Sequence, residues 1–209
     1  MDKYFIYHSV ALNSNGDRRI MASIIKVDTI QTAAGGTPTA DGLGITAISE
    51  FDMYRLNGTV GPFSANTETD ITSNLERCDD ATFAKIGSGM SQSSGIFTFP
   101  STGLYQVTST FNVFCTNNNN ARYFYNYIQA SSDSGSSFDK VVGILNSLPN
   151  VTSSTDFATS TGSAFINVTD ASTFRVKFAI TTDSTNLTLQ ADSAQNMSHF
   201  TFIRLGASQ

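Results

Sequence analysis

The chain has 209 residues, of which 40% are hydrophobic and only 14% charged, and its formal net charge is −5. That length suits one large all-β domain or two small ones with a real core, and five lysines with seven arginines leave no basic footprint for nucleic acid or an anionic membrane surface. Serine, threonine and asparagine together supply 69 residues. Such side chains compete with a helix for backbone hydrogen bonds, while threonine suits a pleated strand, so long helices and α/β folds are excluded.

No apolar run approaches the roughly 18 residues of a membrane span. The N-terminus carries no apolar core followed by a small-residue cleavage site, so no signal peptide is expected. Residues 1–20 read as an extension or a docking peptide, because Met21-Ala22-Ser23-Ile24 resembles an ordinary start. Residues 21–50 have their own texture. Ile24, Ile25, Val27 and Ile30 form a short β-branched stretch, followed by a run of breakers from Ala33 to Gly44. Such a segment buries no core by itself, which fits an attachment arm that pairs with another chain, or a plain leader.

From Phe51 to the end at Gln209 the pattern becomes short apolar or alternating runs between Ser/Thr/Asn/Gly turns. Gly95 to Pro100 is one such run. Leu104 to Cys115 is the clearest strand, with Tyr105, Val107, Ser109, Phe111, Val113 and Cys115 on one face. The asparagines 117–120 make a loop, and Arg122 to Ile128 follows with Tyr123, Tyr125 and Tyr127 opposite Phe124 and Ile128. Both of its faces are substantial, as in a strand covered on one side by a neighbouring subunit. Further strands are expected at Val141–Leu145, Ser163–Val168, Phe174–Ile180, Leu187–Ala191 and His199–Leu205, with Thr72–Cys78 the only place for a turn or two of helix. This spacing predicts an all-β antiparallel sandwich.

The run Gly95-Ile96-Phe97-Thr98-Phe99-Pro100-Ser101-Thr102-Gly103-Leu104-Tyr105 resembles the G-x-F-x-x-P-x-x-G-x-Y stretch of the complement globular-head and tumour-necrosis-factor superfamily. Phe165–Lys177 and Ser198–Leu205 resemble its later strands. The resemblance covers about Asn57 to Leu205 and implies a jelly roll of about ten strands that packs as a threefold homotrimer. The stalk usual before such heads is absent. The stretch Ser23–Thr32, followed by Gly35-Gly36-Thr37-Pro38-Thr39, resembles the leader of particle-surface proteins of tailed phages of aquatic hosts, and Tyr54-Arg55-Leu56 and Ile71–Arg77 resemble the start of their heads. Together these imply a virion-surface structural protein, partnered by itself and by other virion proteins.

Chemistry finds little support. The two histidines, His8 and His199, stand without a G-x-S-x-G elbow, and the adjacent acids Asp79-Asp80 read as a solvated pair. Loop acids including Asp133, Asp139, Asp156, Asp170, Asp183 and Asp192 lack EF-hand spacing. A non-enzymatic protein without cofactor is therefore expected. Tyr105, Phe111, Tyr123 and Tyr125 are the candidates for core and trimer seam. Polar loops containing Asn118, Asn119, Asp133 and Ser136 are candidates for a tip that recognises a host glycan or protein, the alternative to a decorating knob or short fibre.

Overall fold

Alternation of small or apolar residues with polar ones makes Gly103–Cys115 a strand with one dry face, and every odd position from Gly103 to Cys115 is buried. The computed structural model describes residues 11–12, 18–19, 48–116, 121–149 and 155–209. The chain divides into two compact units, Met1–Ile45 and Thr46–Gln209. In the first, β1 (Ala11–Leu12) pairs antiparallel with β2 (Arg18–Arg19). The arm residues Ile24, Ile25, Val27 and Ile30 lie outside the described residues, as do the loop residues Asn118 and Asn119.

The second unit is a two-sheet antiparallel sandwich with no helix among the described residues. Its strands are β3 (Phe51–Leu56), β4 (Thr69–Asp70), β5 (Leu75–Arg77), β6 (Ser91–Ser93), β7 (Ile96–Thr98), β8 (Gly103–Cys115), β9 (Tyr123–Ser131), β10 (Asp139–Ser147), β11 (Asp156–Val168), β12 (Arg175–Thr182), β13 (Leu187–Leu189) and β14 (His199–Gly206). The first sheet runs β11-β8-β14-β3-β5, with β13 also on β8. The second runs β10-β9-β12-β7-β6, with β4 also on β12.

Phenylalanines fill the space between the sheets. The Phe97 ring lies 5.1 Å from Tyr54, 5.6 Å from Phe178 and 5.0 Å from Phe202, and Phe178 stacks on Phe200 at 4.2 Å. The recognisable run acquires local reasons. Ser94 and Gly95, at φ 49° and 81°, form the two-residue turn between β6 and β7, which needs both residues left-handed. Past Pro100 the chain enters β8, and the Tyr105 hydroxyl ties the corner by donating to the Ser101 carbonyl at 3.1 Å.

Three sequence expectations are corrected. Thr72–Cys78 holds no helix but the strand β5, paired with β3 from Tyr54↔Arg77 to Leu56↔Leu75. β11 begins at Asp156 instead of Ser163, and β10 spans nine residues instead of five. Both extensions are long edge strands, held by pairing with a single neighbour along their whole length. Truncation of the most central ring, Phe97→Ala, is expected to lower the unfolding free energy by about 3–5 kcal/mol, read as a shifted urea midpoint with an unchanged slope.

Candidate subunit interface

The outward face of the first sheet is assembled in rows by strand register. One row crosses the whole sheet: Phe165 pairs with Gln106, Gln106 with Ile203, Ile203 with Phe51, and Phe51 bridges to Ile86. It is apolar apart from Gln106, and the Phe83 ring packs 5.9 Å from Phe51. The middle rows are hydroxyl ladders. Thr108 Oγ1 meets Ser163 Oγ at 2.7 Å, and Thr110 Oγ1 meets Thr161 Oγ1 at 3.1 Å. Aromatic rings return at the far end, where Phe157 pairs with Phe114 and their centroids lie 6.4 Å apart.

β11 is the unusual strand. Its inward positions are small or polar up to Ala164 (Asp156, Ala158, Ser160, Gly162), while Phe157 and Phe165 point out and are 54% and 67% exposed. Small inward residues are required because β10 of the other sheet lies close: a Cβ on Gly162 would stand 2.9 Å from a Val142 methyl and 3.0 Å from Ile144. Asn146 seals the join by donating to the Thr159 carbonyl at 2.6 Å. On this side of the sandwich Val141, Ile144 and Leu145 of β10 are exposed as well. Large apolar groups at this density on one edge and face, on a protein with so few charges, mark an interaction surface.

A charge cluster frames the opposite margin. Arg55, 1% exposed, donates from Nε to Glu76 (3.1 Å), from Nη1 to Asp80 (2.6 Å) and from Nη2 to Asp79 (2.5 Å). Burial disfavours the guanidinium charge, but the Glu76 hydrogen bond and the Asp80 charge outweigh it and raise its pKa. The adjacent acids, although Asp79 remains exposed, both pair with Arg55. They tie the segment carrying Phe83 and Ile86 to β3. Beneath it Asp52 bonds to Arg77 at 3.1 Å and to the Met90 N–H at 2.7 Å.

The aromatic residues singled out in the sequence separate. Tyr105 and Phe111 lie inside the sandwich, 1% and 0% exposed, out of reach of any neighbour. Tyr123 and Tyr125 sit on the outward face of the second sheet in a row with Tyr127, the last two stacked at 5.3 Å. Asp133 and Ser136 are close together in one loop, but their polar groups serve the loop itself. Asp133 accepts from Ser131 Oγ (2.6 Å), Ser137 N (3.0 Å) and Ser137 Oγ (2.7 Å), and Ser136 Oγ donates to the Asp133 carbonyl (2.9 Å). Phe157, Phe165 and the Arg55 clamp escaped the sequence reading. For β11 a signal existed: its alternation runs with the large residues on the side opposite the small ones.

Among the described residues no group of three or more His, Cys, Asp or Glu side chains is placed to hold a metal. His199 Nδ1 lies 2.9 Å from the Asn196 carbonyl. Burial pushes the Cys78 thiol up to about 11, the opposite of an activated nucleophile.

No family model matches the chain, and no curated protein matches it. Solved structures share its architecture. Murine APRIL aligns at 10% identity over 75% of this chain and 98% of that chain, with a TM-score of 0.51. The Eiger tumour-necrosis-factor protein of S. frugiperda aligns at 10% identity over 78% and 96%, with a TM-score of 0.52. The fold is the tumour-necrosis-factor jelly roll. At this identity the likeness concerns the fold, and the outward surfaces described above are this chain's own.

Several carboxylates bear on acid stability. Hydrogen bonds from the Ser131 and Ser137 hydroxyls hold Asp133 well below the usual carboxylate range, and the Ser172 hydroxyl and N–H lower Asp170. Burial raises Asp183, but the Arg122 guanidinium and neighbouring N–H groups outweigh it and leave it lowered. A carboxylate depressed on folding stabilises above its unfolded pKa, near 4, and that contribution is lost as pH falls through the lower folded value. The melting temperature is thus expected to be flat between about pH 7 and 5 and to fall below about pH 4. In Asp133→Asn that fall is expected to be shallower, as checked by scanning calorimetry.

Proposed function

We propose that this chain is a virion structural protein of a tailed phage: a homotrimeric jelly-roll head that decorates or cements the particle surface, or forms a short fibre, and is mounted by its N-terminal segment. The observation that carries self-assembly is the exposure of Phe157 and Phe165 on β11, beside the exposed β10 edge and in line with the apolar row ending at Ile86. Burying each of these half-exposed rings against another copy contributes on the order of 1–2 kcal/mol.

The edge carrying Phe157 and Phe165 differs from the margin carrying Ile86 and Phe83. Contact between edge and margin is heterologous, and a heterologous contact whose rotation closes makes a ring. The family resemblance supplies the number three, and the phage-like leader supplies the particle. A chain with few histidines and two buried thiols suits holding and display.

A second reading, a tail-fibre head that recognises a host glycan or protein, is favoured by the Tyr123-Tyr125-Tyr127 row. That row lies on the outward face of the second sheet, whereas Phe157 and Phe165 stand on the outward face of the first. Failure of purified head to compete with phage for host cells would sink this reading.

Mass photometry at micromolar concentration is expected to give three times the 22.4 kDa chain mass. Phe157→Asp and Phe165→Asp are expected to give monomers with unchanged far-ultraviolet circular dichroism. A monomeric wild type overturns the assembly, and electron cryomicroscopy of the particle tests the mounting separately.

A further inference from the structure

The link between β3 and β4 opens with Asn57-Gly58, the one Asn-Gly dipeptide among the described residues. We propose that it is a site of spontaneous deamidation in the folded head, and that Asn74 sets its rate. Asparagine is thermolabile because its side-chain carbon can be attacked by the next backbone nitrogen, and a following glycine offers no Cβ to obstruct the approach.

Both reacting groups are unencumbered. Asn57 is exposed, and its carboxamide makes no hydrogen bond among the described residues. The Gly58 N–H likewise donates to no group among them. Asn146-Ser147 provides an internal contrast. There the carboxamide donates to the Thr159 carbonyl at 2.6 Å, and its oxygen accepts the Ser147 N–H at 2.9 Å, so electrophile and nucleophile are both occupied.

What restrains Asn57-Gly58 is the frame around it. Asn74, left-handed at φ 58°, donates from Nδ2 to the Gly58 carbonyl (3.1 Å) and the Thr59 carbonyl (3.0 Å), while its own carbonyl accepts the Asn57 N–H (3.0 Å). Cyclisation must rotate the Asn57–Gly58 peptide, and Asn74 grips the peptides on either side of it.

The chemistry closes without any partner but water. The Gly58 nitrogen forms a bond to Asn57 Cγ and gives up its proton, ammonia leaves carrying the former amide nitrogen, and water opens the resulting imide to aspartate or isoaspartate. Each event adds one negative charge at the end of β3. The isoaspartate product also lengthens the backbone by one carbon beside the last β3–β5 rung.

The test is peptide mapping of the purified full chain during prolonged incubation in mildly alkaline buffer, with an isoaspartate-specific methylation assay. Conversion is expected at Asn57 ahead of Asn146, and severalfold faster in Asn74→Asp, which keeps the side-chain size but loses the donated hydrogens. An Asn57 that is still intact when an unstructured peptide of the same sequence has converted overturns the site. Equal rates in wild type and Asn74→Asp, both folded by circular dichroism, overturn the role of Asn74.

Discussion

One strand, wet on one face and dry on the other, sets the register of the first sheet. β8 pairs with β11 along thirteen rungs and with β14 and β13 on its other side. A slip of one residue would turn Tyr105, Val107, Phe111 and Val113 outward and draw Gln106, Thr108 and Thr110 into the core. The phenylalanines of β7, β12 and β14 pack against the face that this register keeps dry. The hydroxyl ladders and aromatic rows of the outer face are fixed by the same pairing, so core and candidate interface are two sides of one constraint.

Alternation made that strand readable in the sequence, and turn chemistry made its entrance readable, since Ser94-Gly95 and Pro100 have local consequences. β11 was half hidden because its dry side is Ala, Ser and Gly. A strand of that kind looks apolar only where Ile166 and Val168 take over near its end. β4 and β5 contribute two and three residues, too few to show a period. The Arg55 clamp was illegible for a different reason: its carboxylates lie more than 20 positions away in the chain, and their convergence depends on the β3–β5 pairing. The aromatic candidates were half readable. Composition says that Tyr105, Phe111, Tyr123 and Tyr125 seek partners, but only the sandwich assigns the first two to the core and the last two to an outer sheet.

The head thus presents two unlike surfaces. One is the β11 edge and the outer face of the first sheet, where phenylalanines stand exposed and small inward residues allow the two sheets to close. The other is the tyrosine row of the second sheet, whose flanking charges are already matched: Lys140 binds Glu68 and lies 4.4 Å over the Tyr127 ring, and Lys177 binds Asp70. The first surface leaves Phe157 and Phe165 exposed, whereas the lysines flanking the second are paired within the chain. This asymmetry supports assembly through the first and display of the second.

The scarcity of charge has a further consequence in ionic strength. Dissolved ions screen exposed ion pairs over a distance of about 8 Å in physiological salt, but they do little to a hydrogen bond between two hydroxyls or to a buried phenyl ring. Thr108 with Ser163, Thr110 with Thr161, and Asn126 with Ser109 are neutral bonds, and the Arg55 guanidinium is removed from bulk solvent. Those neutral bonds lose little to added salt, a tolerance written into the head's serines and threonines.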